Sequence, residues 1–243
     1  MKTDDILKLA LEELDVSFST NQIDSIKEYL SIVYEYNKSF SLIGSKDKES
    51  ILIRHILDSI SLLGYWNKIF IGRNKDNKIL DVGTGAGLPG IPLSIFLSNK
   101  LFYLLDDSLK KINFLKMVVS ELKIRNVMII RGRAEKLARE NKYREDFDIV
   151  LARAVTKFNI LSELAIPFCR ISGKMIFYKS KKVAVELRDN KDAILKLGGK
   201  VENLFDIKVP YLDEYRTFLV VKKVKKSPEM YPRSFSKIKK KPL

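Results

Sequence analysis

The chain has 243 residues, with 45 Lys or Arg against 30 Asp or Glu, and is long enough to bury the core of one α/β domain with a modest extension. It has no run of about eighteen apolar residues that could cross a membrane, and the opening Met1-Lys2-Thr3-Asp4-Asp5 lacks an apolar signal core. The lone Cys169 excludes a disulfide framework, and with His55 the one histidine no Cys/His metal cluster assembles. The expectation is a cytoplasmic monomer with no metal and no membrane partner.

The placement of the charge says more than its total. Residues 1–60 hold seven Lys/Arg against eleven Asp/Glu, residues 222–243 nine against one, and the remaining +11 falls on residues 61–221. A middle segment this basic points to a polyanion, most simply nucleic acid.

Residues 1–71 read as an N-terminal helical cap. Ile6, Leu7, Ala10, Leu11 and Leu14 repeat at helical spacing, with Thr3 as a cap and Asp4 and Asp5 in the first turn. A second helix starts near Thr20, with Ile23, Ile26, Leu30, Val33 and Tyr34 on one face. A third covers roughly Lys48 to Leu63 and carries His55, a packed or capping residue more often than a base. Residues 72–78 form a polar linker. Apolar runs then recur at 79–82, 101–105, 127–130, 147–151, 174–178, about 200–207 and 216–221, with helical segments between the first six. That alternation predicts an α/β fold with a seven-stranded, mostly parallel sheet covered on both faces and ending in an antiparallel pair. Residues 72–225 would form this domain, and the Lys-rich residues 226–243 a flexible tail.

The sequence Ile79-Leu80-Asp81-Val82-Gly83-Thr84-Gly85-Ala86-Gly87-Leu88-Pro89-Gly90 runs a strand into four glycines. Such a turn lets a nucleotide-like cofactor approach the backbone. Gly85, Gly87 and Gly90 fit the dinucleotide pattern G-x-G-x-x-G, with Asp106 21 residues beyond Gly85. Asp81, Gly83, Gly85 and Gly87 fit equally the D-x-G-x-G-x-G of Rossmann-like methyltransferases that bind S-adenosylmethionine. Asp81 separates the two, because a carboxylate inside the turn repels a pyrophosphate and favours a cationic ligand. The reading is an S-adenosylmethionine site.

Ligands of an open parallel sheet bind at the carboxyl ends of its strands. Asp106, ending the second strand, is the expected ribose acceptor, and Asp107 suits a helix N-cap better. Ala134 and Glu135, after the third strand, face the expected adenine position, Glu135 having a first-turn helix acid as its alternative role. Arg153, after the fourth strand, falls next to methyl transfer, as an acceptor-side contact or else a surface arginine. Lys110, Lys111, Arg125, Arg153 and Lys179 are candidate RNA contacts, and Cys169 reads as core. No Pro-Cys nucleophile loop and no Asn/Asp-Pro-Pro-Tyr/Phe loop is present, which argues against pyrimidine C5 and against adenine N6 or glutamine as acceptors. Guanine N7 carries a free lone pair and needs alignment rather than a nucleophile or general base.

Arg54-His55-Ile56-Leu57-Asp58-Ser59, joined to Asp81 through Leu93, Asp106 to Leu115, Gly132 to Glu135 and Arg153-Ala154-Val155, resembles the RsmG (GidB) family of bacterial small-subunit rRNA guanine-N7 methyltransferases. The resemblance spans about residues 20–225. It implies a class I methyltransferase fold, S-adenosylmethionine contacts at Gly83, Leu88, Ala134, Glu135 and Arg153, and a guanine in the decoding-region loop of 16S rRNA, free or in the small ribosomal subunit, as acceptor. The chain departs from the family's usual Asn-Lys-x-x-Asn-Leu-Thr at Asn37 to Ile43 and from its Leu-Lys-Gly at Tyr178-Lys179-Ser180, and its Lys-rich tail is longer than usual. Rival readings are methylation of another RNA position or of protein, and a non-catalytic RNA-binding ribosome-assembly factor on the same fold.

Overall fold

A computed structural model describes residues 3–71, 78–153, 157–180 and 183–243, so most of the expected linker lies outside the described residues. The chain opens with helices α1 (Thr3–Glu13) and α2 (Thr20–Phe40). Ser19 caps α2, its hydroxyl accepting from the Gln22 amide while the Gln22 side chain accepts from the Ser19 amide. The third expected helix is one continuous rod, α3 (Lys48–Ile51), a π-helical stretch (Leu52–Leu57) and α4 (Asp58–Ile69). The wider π turn brings Leu57, Asp58 and Leu62 inward as well, off the face that a regular helix would bury.

Strands β1 (Lys78–Val82), β2 (Leu101–Asp106), β3 (Val127–Arg131), β4 (Phe147–Arg153), β5 (Cys169–Lys179), β6 (Gly199–Ile207) and β7 (Arg216–Lys223) form one sheet in the order β3-β2-β1-β4-β5-β7-β6. The first five are parallel, and β7 lies antiparallel between β5 and β6. Helices α5 (Gly90–Phe96), α6 (Leu109–Glu121), α7 (Ala134–Leu137), α8 (Phe158–Ala165) and α9 (Val183–Lys196) connect the strands, and α10 (Phe235–Lys240) closes the chain. The expected seven strands and antiparallel ending are present.

Side chains of a strand alternate between its two faces, and here they enter two cores. Ile79, Leu104, Ile149, Leu151, Ile176 and Phe218 pack with α1, α2, the helical rod, α5 and α6. Leu80, Val82, Leu105, Val150, Met175 and Phe177 pack with α8, α9, Cys169 and, from the chain's end, Tyr231 and Leu243. The N-terminal helices thus share a core with one face of the sheet.

Residues 226–243, expected to form a flexible tail, are folded against the opposite face. Arg144 donates to the carbonyls of Ser227 and Tyr231, both at 2.8 Å, and Arg139 to those of Pro232 and Met230, also at 2.8 Å. Arg233 pairs with the fully buried Glu163 at 2.6 Å, and Ile238 is fully buried beside Ile160 and Leu164. Composition alone suggested disorder because the partners of these clamps, Arg139, Arg144 and Glu163, lie in the sheet domain, far away in sequence.

Candidate active site at the carboxyl edge of the sheet

Strand order reverses between β1 and β4, and a cleft of about 610 Å³ opens there at the carboxyl ends of the strands. Its floor is the glycine turn. Gly83 and Gly85 hold φ of 70° and 63°, values that L side chains adopt only under strain. The amides of Gly83 and Thr84 both donate to the Leu105 carbonyl, fixing the turn to β2. Tyr29 of α2 donates its buried hydroxyl to the Ala86 carbonyl at 2.8 Å and ties the turn to the N-terminal helices.

Asp81, expected to face the ligand, does not. Strand alternation sends it away from Leu80 and Val82 to a fully buried position behind the turn, outside the cleft lining. One carboxylate oxygen accepts from the Thr84 hydroxyl at 2.6 Å and the Gly90 amide at 2.9 Å. A Cβ on Gly90 would lie 2.2 Å from the Leu104 side chain, so α5 starts where only glycine fits. Burial pushes the Asp81 carboxyl up to about 6, against the lowering effect of its Thr84 and Gly90 bonds.

Asp106 lines the cleft and is nearly buried. It accepts from the Gly85 amide at 3.0 Å, the Ser108 amide at 3.0 Å and Lys111 at 3.3 Å, so it braces the turn as well as facing the cleft. Asp107 does not make the expected cap. It is half exposed in the cleft, 3.4 Å from Arg133. Ala134 and Glu135 line the far end with Leu88 on the floor, and Arg133 stands 3.9 Å from the buried Glu135 carboxylate.

Arg153 lines the cleft but is no surface arginine. Its guanidinium donates to the His55 carbonyl at 3.1 Å and to Asp58 at 2.8 Å, and the other Asp58 oxygen accepts from Arg216 at 3.1 Å. A buried Asp58 thus fixes both arginines, the second from β7. The sequence offered Asp58 as a motif letter without that role, because its partners lie 95 and 158 residues away. His55 also lines the cleft, its Nε2 3.0 Å from the Ser45 hydroxyl. Burial, reinforced by Arg153, Arg54 and Arg216, lowers its pKa to about 4, so the ring is neutral at pH 7. Leu42, Ile43 and Gly44 form the neighbouring wall, held by Asn37, which accepts from the Ile43 amide at 2.9 Å and donates to the Ser45 carbonyl at 2.8 Å. Ser41, where the family usually has asparagine, is the left-handed C-cap of α2, a position suited to either glycine or asparagine.

The expected RNA contacts divide. Lys110 is exposed on this edge and donates to the Phe40 carbonyl at 2.7 Å. Lys111 is bonded to Asp106, and Lys179 is mostly buried in an ion pair with Glu186. Arg125 precedes β3 and therefore stands at the opposite, amino edge, which separates it from the cleft. Three cleft residues escaped the sequence reading altogether, Gly44 after α2, Leu164 of α8 and Phe235 of the tail.

A family model for rRNA small subunit methyltransferase G matches residues 22–214. The chain belongs to that family. It is 37% identical to ribosomal RNA small subunit methyltransferase G of Clostridium tetani over 243 residues, all of both chains. It is 36% identical to that of Alkaliphilus oremlandii over 243 residues, again all of both, and 38% identical to that of Lachnoclostridium phytofermentans over 96% of this chain and 94% of the relative. Both the Clostridium tetani and the Alkaliphilus oremlandii relatives align over the Lys-rich end as well. Solved structures of similar fold include TrmN from Thermus thermophilus, with TM-score 0.52, 15% identity and coverage of 71% of this chain and 53% of that one. A SAM dependent methyltransferase from Aquifex aeolicus has TM-score 0.50 and 18% identity over 72% of this chain and 93% of that one. The fold is the Rossmann-like class I methyltransferase fold. No helix among the described residues is long and apolar enough to cross a membrane, and no group of three or more His, Cys, Asp or Glu among them is arranged to hold a metal ion.

Proposed function

We propose that this protein methylates N7 of a guanine in the decoding-region loop of 16S rRNA, using S-adenosylmethionine, in the cytoplasm. The observation that carries the reading is the convergence, in one cleft, of a positive-φ glycine turn, a carboxylate after β2, an Ala-Glu pair after β3 and a fixed arginine after β4. These residues fit the cofactor by their chemistry. The backbone at Gly83 and Gly85 would receive its amino-acid end, Asp106 its ribose hydroxyls, and Leu88 with Ala134 and Glu135 its adenine. When bound, S-adenosylmethionine supplies an electrophilic methyl group on a sulfonium.

The protein's own part is alignment and electrostatics. One nitrogen of the Arg153 guanidinium, Nη1, is held by both Asp58 and the His55 carbonyl, so the group would need little further ordering at the moment of reaction. Asp81, behind the turn, and Asp106 place negative charge around a site that would take a cationic ligand. N7 has no proton to remove, and the neutral His55, bonded to Ser45, is not required as a base. Lys110 and the basic edge around it would meet the rRNA backbone.

The test is transfer of labelled methyl to 16S rRNA and to small subunits lacking the modification, followed by cleavage chemistry specific for 7-methylguanosine. Label at one guanine N7 is expected. Label on another atom or on protein overturns the acceptor assignment. Normal cofactor binding without transfer to any of these substrates supports an assembly factor instead.

A further inference from the structure

We propose that Phe235, near the carboxyl end of the chain, is a cofactor-binding residue whose ring forms the outer wall of the adenine pocket. The inference rests on the S-adenosylmethionine reading of the cleft and extends it to a segment outside the sheet domain and beyond the residues matched by the family model.

Phe235 lines the cleft together with Ala134, Glu135 and Leu164, the end assigned to adenine. It is half-buried, which leaves a ring face available within the cleft lining. A single aromatic at a cleft mouth would mean little were it free to swing away, and here its neighbours hold it. Ile238, one turn further along α10, is fully buried with Ile160 and Leu164, and Ala134 and Phe235 pack against the same small cluster. On the other side Arg233 binds Glu163 through its backbone amide at 2.8 Å and its guanidinium at 2.9 and 2.6 Å. The segment is thus fixed two residues before Phe235 and three after it.

Arg133 completes the rim. Its guanidinium lies 5.8 Å from the Phe235 ring centroid, 3.4 Å from Asp107 and 3.9 Å from Glu135. An aromatic ring held beside an alanine and a carboxylate suits a flat purine, which stacks on the ring while Glu135 accepts from its amino group. Phe235 packs only partly buried against the Ile160, Leu164 and Ile238 cluster, so one side of the ring serves that contact and the rest lines the cleft.

The test is calorimetric binding of S-adenosylhomocysteine and, separately, of adenosine to the full chain and to Phe235→Ala and Phe235→Tyr, with thermal melts of each. Base–aromatic stacking is worth roughly 1–3 kcal/mol, so Phe235→Ala should weaken both ligands by roughly ten- to a hundredfold, by the same factor for each, with an unchanged melting temperature. Phe235→Tyr should restore affinity. Ile238→Ala, which loosens the anchor and leaves the ring in place, should weaken both ligands by a smaller factor. Unchanged affinity in Phe235→Ala overturns the inference while the cofactor reading stands, and unchanged affinity with lost rRNA binding reassigns the ring to the acceptor. Failure of the unaltered protein to bind S-adenosylhomocysteine overturns both.

Discussion

The two ends of this chain cover opposite faces of one sheet and both reach the cleft, yet they are held by different physics. The N-terminal helices bury Leu7, Ile26, Tyr29, Leu30 and Val33 in a core continuous with β1, β4 and β7. The carboxyl-terminal residues 226–243 bury two large apolar side chains, Tyr231 and Ile238, and depend on Arg139, Arg144, Lys223 and the Arg233–Glu163 pair. Apolar burial is non-directional and scales with area, whereas a clamp of guanidinium groups on carbonyls is directional and local. The helical end should therefore unfold with the sheet, and the other end by itself.

The largest expected effect tests the apolar side of that contrast. Leu30→Ala opens a cavity in the shared core and should destabilise the whole protein by about 2–5 kcal/mol in denaturant. A transition confined to the N-terminal helices, with the sheet's unaltered, would show them to be a separate unit.

Glu163→Ala tests the polar side. It removes four hydrogen bonds from Arg233, whose side chain can then turn to water. Global stability should fall by about 1–2 kcal/mol, and amide exchange in residues 227–240 should rise well above that of the sheet. Unchanged protection there would mean that the apolar cluster around Ile238 suffices.

Where the helical rod meets the glycine turn, the half-buried His55 and the buried Asp81 titrate in opposition. His55 has a folded pKa of about 4, below its ordinary 6.5, so the unfolded chain takes up the proton first and stability falls as pH drops from 6.5 to 4. Asp81 has a folded pKa of about 6, above its ordinary 3.8, so the folded chain takes up the proton first and stability rises as pH drops from 6 to 3.8. The unaltered protein should show a nearly flat profile there. Asp81→Asn should expose the His55 loss, on the order of 2 kcal/mol after allowance for partial exposure, and His55→Gln the opposite slope. Parallel profiles in the two variants would refute the opposition.

The smallest effect concerns the exposed lysines of α10. Replacing Lys237, Lys239 and Lys240 by Gln should leave stability within about 0.5 kcal/mol. It should flatten the salt dependence of rRNA binding by roughly 0.7–0.9 in slope for each phosphate that these lysines neutralise. An unchanged slope would separate α10 from the RNA and leave it a cofactor wall alone.

How much of this was legible depends on the range of the interaction. Periodicity in Ile23, Ile26, Leu30 and Val33 marked α2, and the continuous apolar runs marked every strand, because burial on a helix face or within a sheet is written in neighbouring residues. The glycine turn was legible for the same reason, its φ angles being a local demand of Gly83 and Gly85. The orientation of Asp81 was not, since a carboxylate inside a motif gives no sign of which face of the strand it takes. The amino-edge position of Arg125 was legible, because it precedes a strand of the expected parallel sheet, and the RNA assignment overlooked it. The extra turn width at Leu52–Leu57, the pairing of Asp58 with Arg153 and Arg216, and the seating of Phe235 on the cleft arose only when distant segments met. Sequence by itself determined the strands, their order and the glycine turn, because these rest on local propensity and patterning. The tertiary structure alone decided which carboxylates brace and which face the cleft, and that a lysine-rich end lines that cleft through Phe235, because a residue's role is set by partners that sequence distance hides.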